Sequence, residues 1–281
     1  MQFSPAPQGS GFRPGLKAGV PSGSHDGRRG QDRHPDRGGA GPGCRGELGA
    51  GAADATVIAA DVFPEPTALA AAAGPGTVHY RQLDVSRQEE WAALGQWIGE
   101  RFGRVYGLVN NAGIAVRDRL PEVTLADWER VLSVNLSGAL LGMQAVLPLM
   151  GRGGSIVNVG SVAALSAHYP VAYTVSKWGL RGLSRVASME LGPRGIRVNS
   201  IHPGFIDTPM TAATPPAFRE SNLLQIPLGR TGTPADVNPL VVFLISDESS
   251  FISGAEIPVD GGQTAHVGAL PISEALRTFV A

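Results

Sequence analysis

The chain has 281 residues, of which 43% are apolar, enough for one large domain or two small ones with a substantial core. Its formal net charge of −1, with 23 basic and 24 acidic side chains, supplies no electrostatic footprint for nucleic acid or an anionic membrane. The single cysteine, Cys44, excludes an internal disulfide and fits a reducing cytoplasm; no run reaches the ~18 consecutive apolar residues of a membrane helix, and no apolar segment of a signal peptide follows Arg28-Arg29.

The chain changes character near residue 55. Before it, Gly, Pro, Arg and Asp dominate without apolar periodicity, the composition of a disordered segment. After it, short apolar runs alternate with amphipathic helical stretches, the pattern of an α/β protein with a parallel sheet. TVIAAD (56–61) reads as a buried strand ending in an acid, and TVHYRQLDV (77–85) as a second strand. Ser86 is the expected N-cap of a helix that repeats Trp91, Leu94, Ile98 and Phe102 at helical spacing. VYGLVNNAG (105–113) is a strand running into an Asn/Gly turn, followed by one long helix over 124–150 and the strand GSIVNVGS. A helix over 171–191, the strand IRVNSIHPG, a Pro/Thr-rich stretch (204–233), a helix over 234–247 and the strand EIPV complete the series. The order is βαβ throughout, except that a first strand and first helix are missing.

Ser161, Tyr173 and Lys177 form S-x11-Y-x3-K. Lys17 and Lys177 are the only lysines beside 21 arginines, so a lysine placed one helical turn from a tyrosine is informative. At i and i+4 both side chains leave the same helix face. An ammonium beside a phenol favours the phenolate, lowering a pKa that starts near ~10 so that the tyrosine can exchange a proton near neutral pH. Ser161, at the end of the preceding strand, can hydrogen-bond the reacting oxygen.

These residues resemble the classical short-chain dehydrogenases/reductases over about 56–264. NNAG (110–113), VNLSG (134–138), the Ser and YTVSK, RVNSIHPGFIDTPM and VDGG (259–262) match that family's motifs in order and spacing. Within the family, KWGLRGLSRVASMELG, HPGFIDTPMTA and GAEIPVDGG are most similar to bacterial 3α,20β-hydroxysteroid dehydrogenases. The resemblance implies a Rossmann-like, doubly wound parallel sheet in a single domain (56–265), followed by a tail (266–281). It makes Tyr173 the general acid/base, with Lys177 lowering its pKa and binding the nicotinamide ribose. Ser161 polarises the carbonyl, and Asn135 holds a water that relays protons from Lys177. Asn111 and Gly113 lie in a turn after a strand end, where ligands dock in such sheets. Asp61 accepts hydrogen bonds from the adenosine ribose and repels a 2′-phosphate, so NAD is the expected cofactor. Asp84 and Val85 resemble adenine contacts, and Pro203, Gly204, Ile206 and Thr208 the loop that holds carboxamide and pyrophosphate. No metal is called for. Tyr106 departs from the family, which usually carries Asp there.

The family also requires a strand and T-G-x3-G-x-G ahead of Asp61, and this chain lacks both. The literal G-x-G-x-x-G at 41–46 has Pro42 inside it and no apolar strand before it, so nothing positions a helix N-terminus at a pyrophosphate. Read one nucleotide out of register, the codons for 31–44 are compatible with RTAILTGAGRGLG, an apolar strand followed by the missing motif. Its threonine falls at Asp36, 25 residues before Asp61, near the spacing of about 20 between glycine fingerprint and acid. The reading is that residues up to about 55 are frame-shifted or untranslated sequence and that 41–46 is a decoy; a true disordered extension is the alternative.

The expected function is NAD-dependent interconversion of a secondary alcohol and a ketone, with a hydroxysteroid or similar alicyclic substrate. Phe205, Met210, Phe218, Leu223 and Leu224 are candidates for an apolar lid or for ordinary core. Two alternatives stay open: a 3-oxoacyl-carrier-protein reductase using NADPH, and a catalytically impaired dehydrogenase-like binding protein. The resemblance suggests a homotetramer in the cytoplasm, with no nucleic acid or membrane as partner.

Overall fold

The computed structural model describes residues 55–64, 77–208, 211 and 214–277. The glycine-rich N-terminal stretch, with the frame-shift reading placed on it, and Met210 lie outside the described residues. Among the described residues there are six strands: Thr56–Asp61 (β1), Thr77–Gln82 (β2), Val105–Asn110 (β3), Met150–Val159 (β4), Arg197–Pro203 (β5) and Glu256–Val259 (β6). All pairings are parallel, β1 with β2 and β3-β4-β5-β6 in that order. Parallel neighbours need crossovers, and helices supply them. Gln88–Phe102 (α1) joins β2 to β3, while Leu125–Leu132 (α2) and Gly138–Val146 (α3) join β3 to β4. Val171–Leu191 (α4) joins β4 to β5, and Pro216–Leu223 (α5) with Pro234–Ile245 (α6) joins β5 to β6. Leu270–Arg277 (α7) lies inside the stretch set off in the sequence as a tail.

Neighbouring residues of one strand feed opposite faces. Ile156 joins Ile98, Val105, Met143 and Val198 in one core, whereas Val157 joins Ile201, Val237, Val241 and Leu244 in the other. β5 is buried at every position, as expected of a parallel sheet covered on both faces. This is the expected α/β, doubly wound, Rossmann-like single domain. Among the described residues β1-β2 and β3-β4-β5-β6 form separate ladders. Ile58 of β1 packs against the cluster holding Val105 and Leu108, yet among the described residues neither strand pairs on its second edge. Doubly wound sheets carry their first strand at that position.

Several boundaries differ from expectation. Ser86 does not cap α1, because its hydroxyl donates to Asp84 Oδ1 at 2.6 Å; Arg87 is the flanking residue. The strand expected over 77–85 ends at Gln82, where the Asp84–Ser86 turn begins. The single helix expected over 124–150 is divided. Thr124 caps α2 by accepting the Asp127 N–H at 3.1 Å, a π-helical turn occupies Ser133–Ser137, and a 3₁₀ turn (Leu147–Leu149) ends α3 before β4 starts at Met150. By length and hydropathy the run Leu125–Leu149 could cross a bilayer. Its inward residues Val131, Ala139, Met143 and Val146 are buried against neighbouring elements, as in a core helix. Tyr106, at the family's usual Asp position, lies under the Arg104 guanidinium, 4.3 Å from its ring centre.

Candidate active site

The carboxyl ends of the strands bring the expected residues to one edge of the sheet. β1 ends at Asp61, β2 leads to Asp84 and Val85, β3 to Asn111 and Gly113, β4 to Ser161, and β5 to Pro203-Gly204. Ligands bind outside the carboxyl ends of such sheets, at the point where strand order reverses. α4 then presents Tyr173 and Lys177 one turn apart.

Lys177 is only 4% exposed, and its Nζ donates to the Val159 carbonyl at 2.8 Å. Burial holds its pKa down at about 8, well below the usual lysine value. Nζ lies 5.7 Å from the centre of the Tyr173 ring. The Ser161 side chain acts on the Tyr173 phenol, lowering its pKa. Tyr173 is half-buried. Desolvation pushes its pKa up, with the Ser161 side chain opposing that rise. The ammonium is itself desolvated and engaged with a carbonyl, and the one contribution lowering the phenol pKa comes from Ser161.

Ser161 has extended backbone and caps the 3₁₀ turn Val162–Ala164, its Oγ accepting the Ala163 N–H at 3.2 Å. Asn135 sits in the π-helical turn at 1% exposure. Its Nδ2 donates to the Ile114 carbonyl (2.9 Å) and to Ser176 Oγ (3.0 Å), and its Oδ1 accepts the Ile114 N–H (2.8 Å). A π-bulge in a helix is frequent at functional sites, and this one ties the turn after β3 to α4. A Cβ on Gly113 would stand 3.5 Å from Asn135 Oδ1 and 3.6 Å from Lys177 Nζ, so this turn lies directly against both.

The remaining positions divide. Asp61 Oδ1 accepts the Phe63 N–H at 3.2 Å, at the half-buried strand end. Asp84 Oδ1 is occupied by the Ser86 N–H and hydroxyl, while the Val85 carbonyl accepts the Trp91 indole N–H at 2.9 Å. Gly204 is pressed against Asp260, whose Cα would be 2.9 Å from a Cβ, so only glycine keeps this approach. Ile206 is buried and bridges to Gly232, and the Thr208 N–H donates to Thr211 Oγ1 at 2.9 Å. Of the lid candidates, Phe205 and Phe218 meet at 5.9 Å between ring centres and continue through Tyr169 (6.1 Å from Phe218) to His168 (5.0 Å from Tyr169). Leu224 instead points to solvent. Thr174 Oγ1 donates to the His168 carbonyl at 3.1 Å, tying this aromatic row to the turn of α4 that carries Tyr173. Asp207 accepts from Arg219 of α5 and from Thr231 Oγ1, which fixes α5 to the strand-end loop.

Three features were missed in the sequence. Asn110 donates to Asn158 Oδ1 and Asn158 to Ser184 Oγ, both at 2.8 Å, a buried polar ladder from β3 to α4. The doubled asparagine of NNAG was the available signal. Ser176 bridges Asn135 and the Tyr173 carbonyl (2.7 Å), and nothing in YTVSK distinguishes it from a surface serine. His202 contacts the Ser161 carbonyl from β5, and its place beside Pro203-Gly204 was the only cue.

The site suits a nicotinamide dinucleotide. Carboxylates end β1 and follow β2, and Lys177 lies against the Gly113 turn after β3.

A family model described as enoyl-(acyl carrier protein) reductase matches residues 49–264. The trans-4-hydroxycyclohexanecarboxylate dehydrogenase of Sinomonas cyclohexanicum is 45% identical over 185 residues, 65% of this chain and 70% of that protein. The 3-alpha-(or 20-beta)-hydroxysteroid dehydrogenase of Mycobacterium tuberculosis is 42% identical over 215 residues, 75% of this chain and 80% of that protein. A crystal structure of a short-chain dehydrogenase/reductase (glucose/ribitol dehydrogenase) from Brucella melitensis superposes with a TM-score of 0.69 at 30% identity, covering 74% of this chain and 86% of that one. The chain belongs to the short-chain dehydrogenase/reductase family, enzymes that act on CH–OH groups with a nicotinamide cofactor.

Proposed function

We propose that the protein interconverts a secondary alcohol and its ketone with NAD, acting on an alicyclic ring or a hydroxysteroid. The observation that carries this reading is the buried Lys177, bonded to the Val159 carbonyl, one helical turn from Tyr173 and beside the Gly113 turn and Asn135 at the carboxyl ends of the strands. The nicotinamide supplies or accepts the hydride at the carbinol carbon. In the direction of reduction, Ser161 Oγ and the Tyr173 hydroxyl converge on the carbonyl oxygen, and Tyr173 gives it a proton. A phenol held neutral by burial is a competent donor for that step. Lys177 and Asn135 hold the turn at Gly113 and lead the replacement proton back to Tyr173, with a water at Asn135 in the relay.

The cofactor positions are Asp61 for the adenosine ribose, Asp84 and Val85 for adenine, Asn111 and Gly113 for the ribose near Lys177, and Pro203, Gly204, Ile206 and Thr208 for the carboxamide and pyrophosphate. The Asp61 carboxylate favours NAD by repelling a 2′-phosphate. The row His168, Tyr169, Phe218 and Phe205 supports a flat apolar substrate, and the two dehydrogenases reported above carry alicyclic and steroid substrates in their names. Leu140, Val175, Trp178, Val186 and Met189 are exposed apolar side chains on α3 and α4, which supports the homotetramer. The lone cysteine supports a cytoplasmic setting.

The test is reduction of 4-oxocyclohexanecarboxylate and of a 20-ketosteroid with NADH and with NADPH, beside a 3-oxoacyl thioester. Faster turnover of a cyclic ketone with NADH is expected. NADPH-dependent turnover of the thioester alone would instead establish a carrier-protein reductase.

A further inference from the structure

His202 is completely buried in β5, next to β4, the strand that leads to Ser161. Its Nδ1 lies 3.1 Å from the Ser161 carbonyl oxygen. A carbonyl only accepts, so Nδ1 carries the hydrogen and Nε2 is left with a bare lone pair. Nε2 is buried and has no hydrogen-bond partner among the described residues. A side chain present only to fill space would be apolar at this point, since an orphaned ring nitrogen opposes folding. The ring also dictates its neighbour: a Cβ on Gly160 would come within 2.6 Å of Nδ1 and 3.0 Å of the Ile201 carbonyl, so glycine there is what lets the imidazole lie against the end of β4.

Two donors thus grip the same carbonyl, the Ala164 N–H at 2.9 Å and the His202 ring N–H. Burial holds the imidazole pKa below its ordinary value despite the favourable carbonyl contact, which keeps a neutral ring and one donor at Nδ1. The side chain of the gripped residue is Ser161 Oγ, the hydroxyl that lowers the Tyr173 pKa.

We propose that His202 is a positioning residue for the active-site serine: its Nδ1–H fixes the Ser161 carbonyl, and with it the angle at which Oγ meets the Tyr173 hydroxyl and the substrate oxygen. The inference rests on the reading of Ser161 as the group that polarises the carbonyl. His202 touches neither substrate nor cofactor and acts only through that backbone.

The experiment is a double-mutant cycle on the full chain, reading kcat and KM for reduction of a cyclic ketone at saturating NADH. His202→Leu keeps the volume and loses the donor, whereas His202→Asn places an amide N–H near Nδ1. Each is made alone and with Ser161→Ala, which leaves the Ser161 carbonyl in place. His202→Leu is expected to lower kcat by about 10- to 100-fold, the effect of misplacing a reacting group. KM should hardly change, and His202→Asn should recover most of the loss. With Ser161→Ala the leucine variant should add no further loss, because the hydroxyl it displaces is gone. An equal fall in kcat in both backgrounds, or no rescue by asparagine, overturns the proposal in favour of a general packing role. Full activity of Ser161→Ala alone overturns the reading of Ser161 itself, a result distinct from any His202 outcome. Where His202→Leu does not fold, histidine ¹⁵N chemical shifts of the unsubstituted protein decide the matter, with the His202 signal assigned by its loss in His202→Asn. Protonated Nδ1 with bare Nε2 is expected, and the opposite tautomer or an imidazolium overturns the proposal.

Discussion

Among the described residues, the β1-β2 pair and the β3-β4-β5-β6 ladder differ in how completely their own contacts define them. β4 and β5 have a paired strand on each edge, β5 is buried throughout, and Ser161 and His202 sit at or near their ends. β1 is paired on one edge among the described residues, and the chain leaves it through the exposed Val62 and Phe63. Asp61 there holds the Phe63 N–H, whereas Lys177, Asn135 and Ser161 are each locked by buried neighbours. In the function proposed above, proton-transfer geometry is set within the larger sheet and grip on the adenosine end by the β1-β2 pair, so that proposal makes catalytic chemistry and cofactor affinity separable.

That separation can be attacked at several points. Lys177→Met should lower ketone reduction by roughly 10²–10⁴-fold, the usual contribution of positioned acid–base machinery. Its effect on stability has a defined sign. A lysine whose pKa is about 8 when folded and 10.5 when unfolded opposes folding while protonated, so stability should rise as pH climbs from about 8 to 10.5. Thermal melts should lose that rise in Lys177→Met; a variant that keeps the limb would show that the lysine is not desolvated. Asp61→Ala tests the other sheet and should cut the preference for NADH over NADPH by about tenfold or more, as expected for a lost charge-assisted hydrogen bond, leaving kcat with saturating NADH unchanged. A large fall in kcat would tie the two regions together.

Glu256 anchors β6 to α4 through Arg185 and Arg181, which hold its carboxyl down at about 2. Because the folded pKa is depressed, this stabilisation is complete above about 4.5 and is lost as pH falls toward 2. Glu256→Gln should cost about 1–2 kcal/mol near neutral pH and flatten the acid limb of a denaturation profile, an effect confined to the larger sheet. The smallest change is expected from cofactor itself. The family's pyrophosphate-binding turn is missing from the sequence before Asp61, so 1 mM NADH should raise the melting temperature by no more than about 2 °C. A large shift in this chain would contradict the weak-binding expectation.

The sheet was legible because apolar runs such as IRVNSI and GSIVNV can be satisfied only by burial on both faces. Tyr173 and Lys177 were legible because i, i+4 spacing survives any detail of packing. What sequence spacing could not supply was the environment of the ammonium. Burial beside the Val159 carbonyl, which ties up Nζ and leaves the phenol pKa raised, arises from long-range packing. The π-helical turn at Ser133–Ser137 was also invisible, since a run such as SVNLSG fits an unbroken helix equally well and only the bonds of Asn135 to Ile114 and Ser176 distinguish them. Asp84 illustrates a competing local interaction: it retained its place after β2 but took the Ser86 hydroxyl that had been expected to cap the helix.

The most direct measurement is single-turnover reduction of a cyclic ketone by Tyr173→Phe beside the unsubstituted protein, at saturating NADH and with matched circular dichroism spectra. Loss of the proton-donating hydroxyl should slow the chemical step by roughly 10²–10⁴-fold with the fold intact. Turnover by the phenylalanine variant at the rate of the unsubstituted protein would contradict the account.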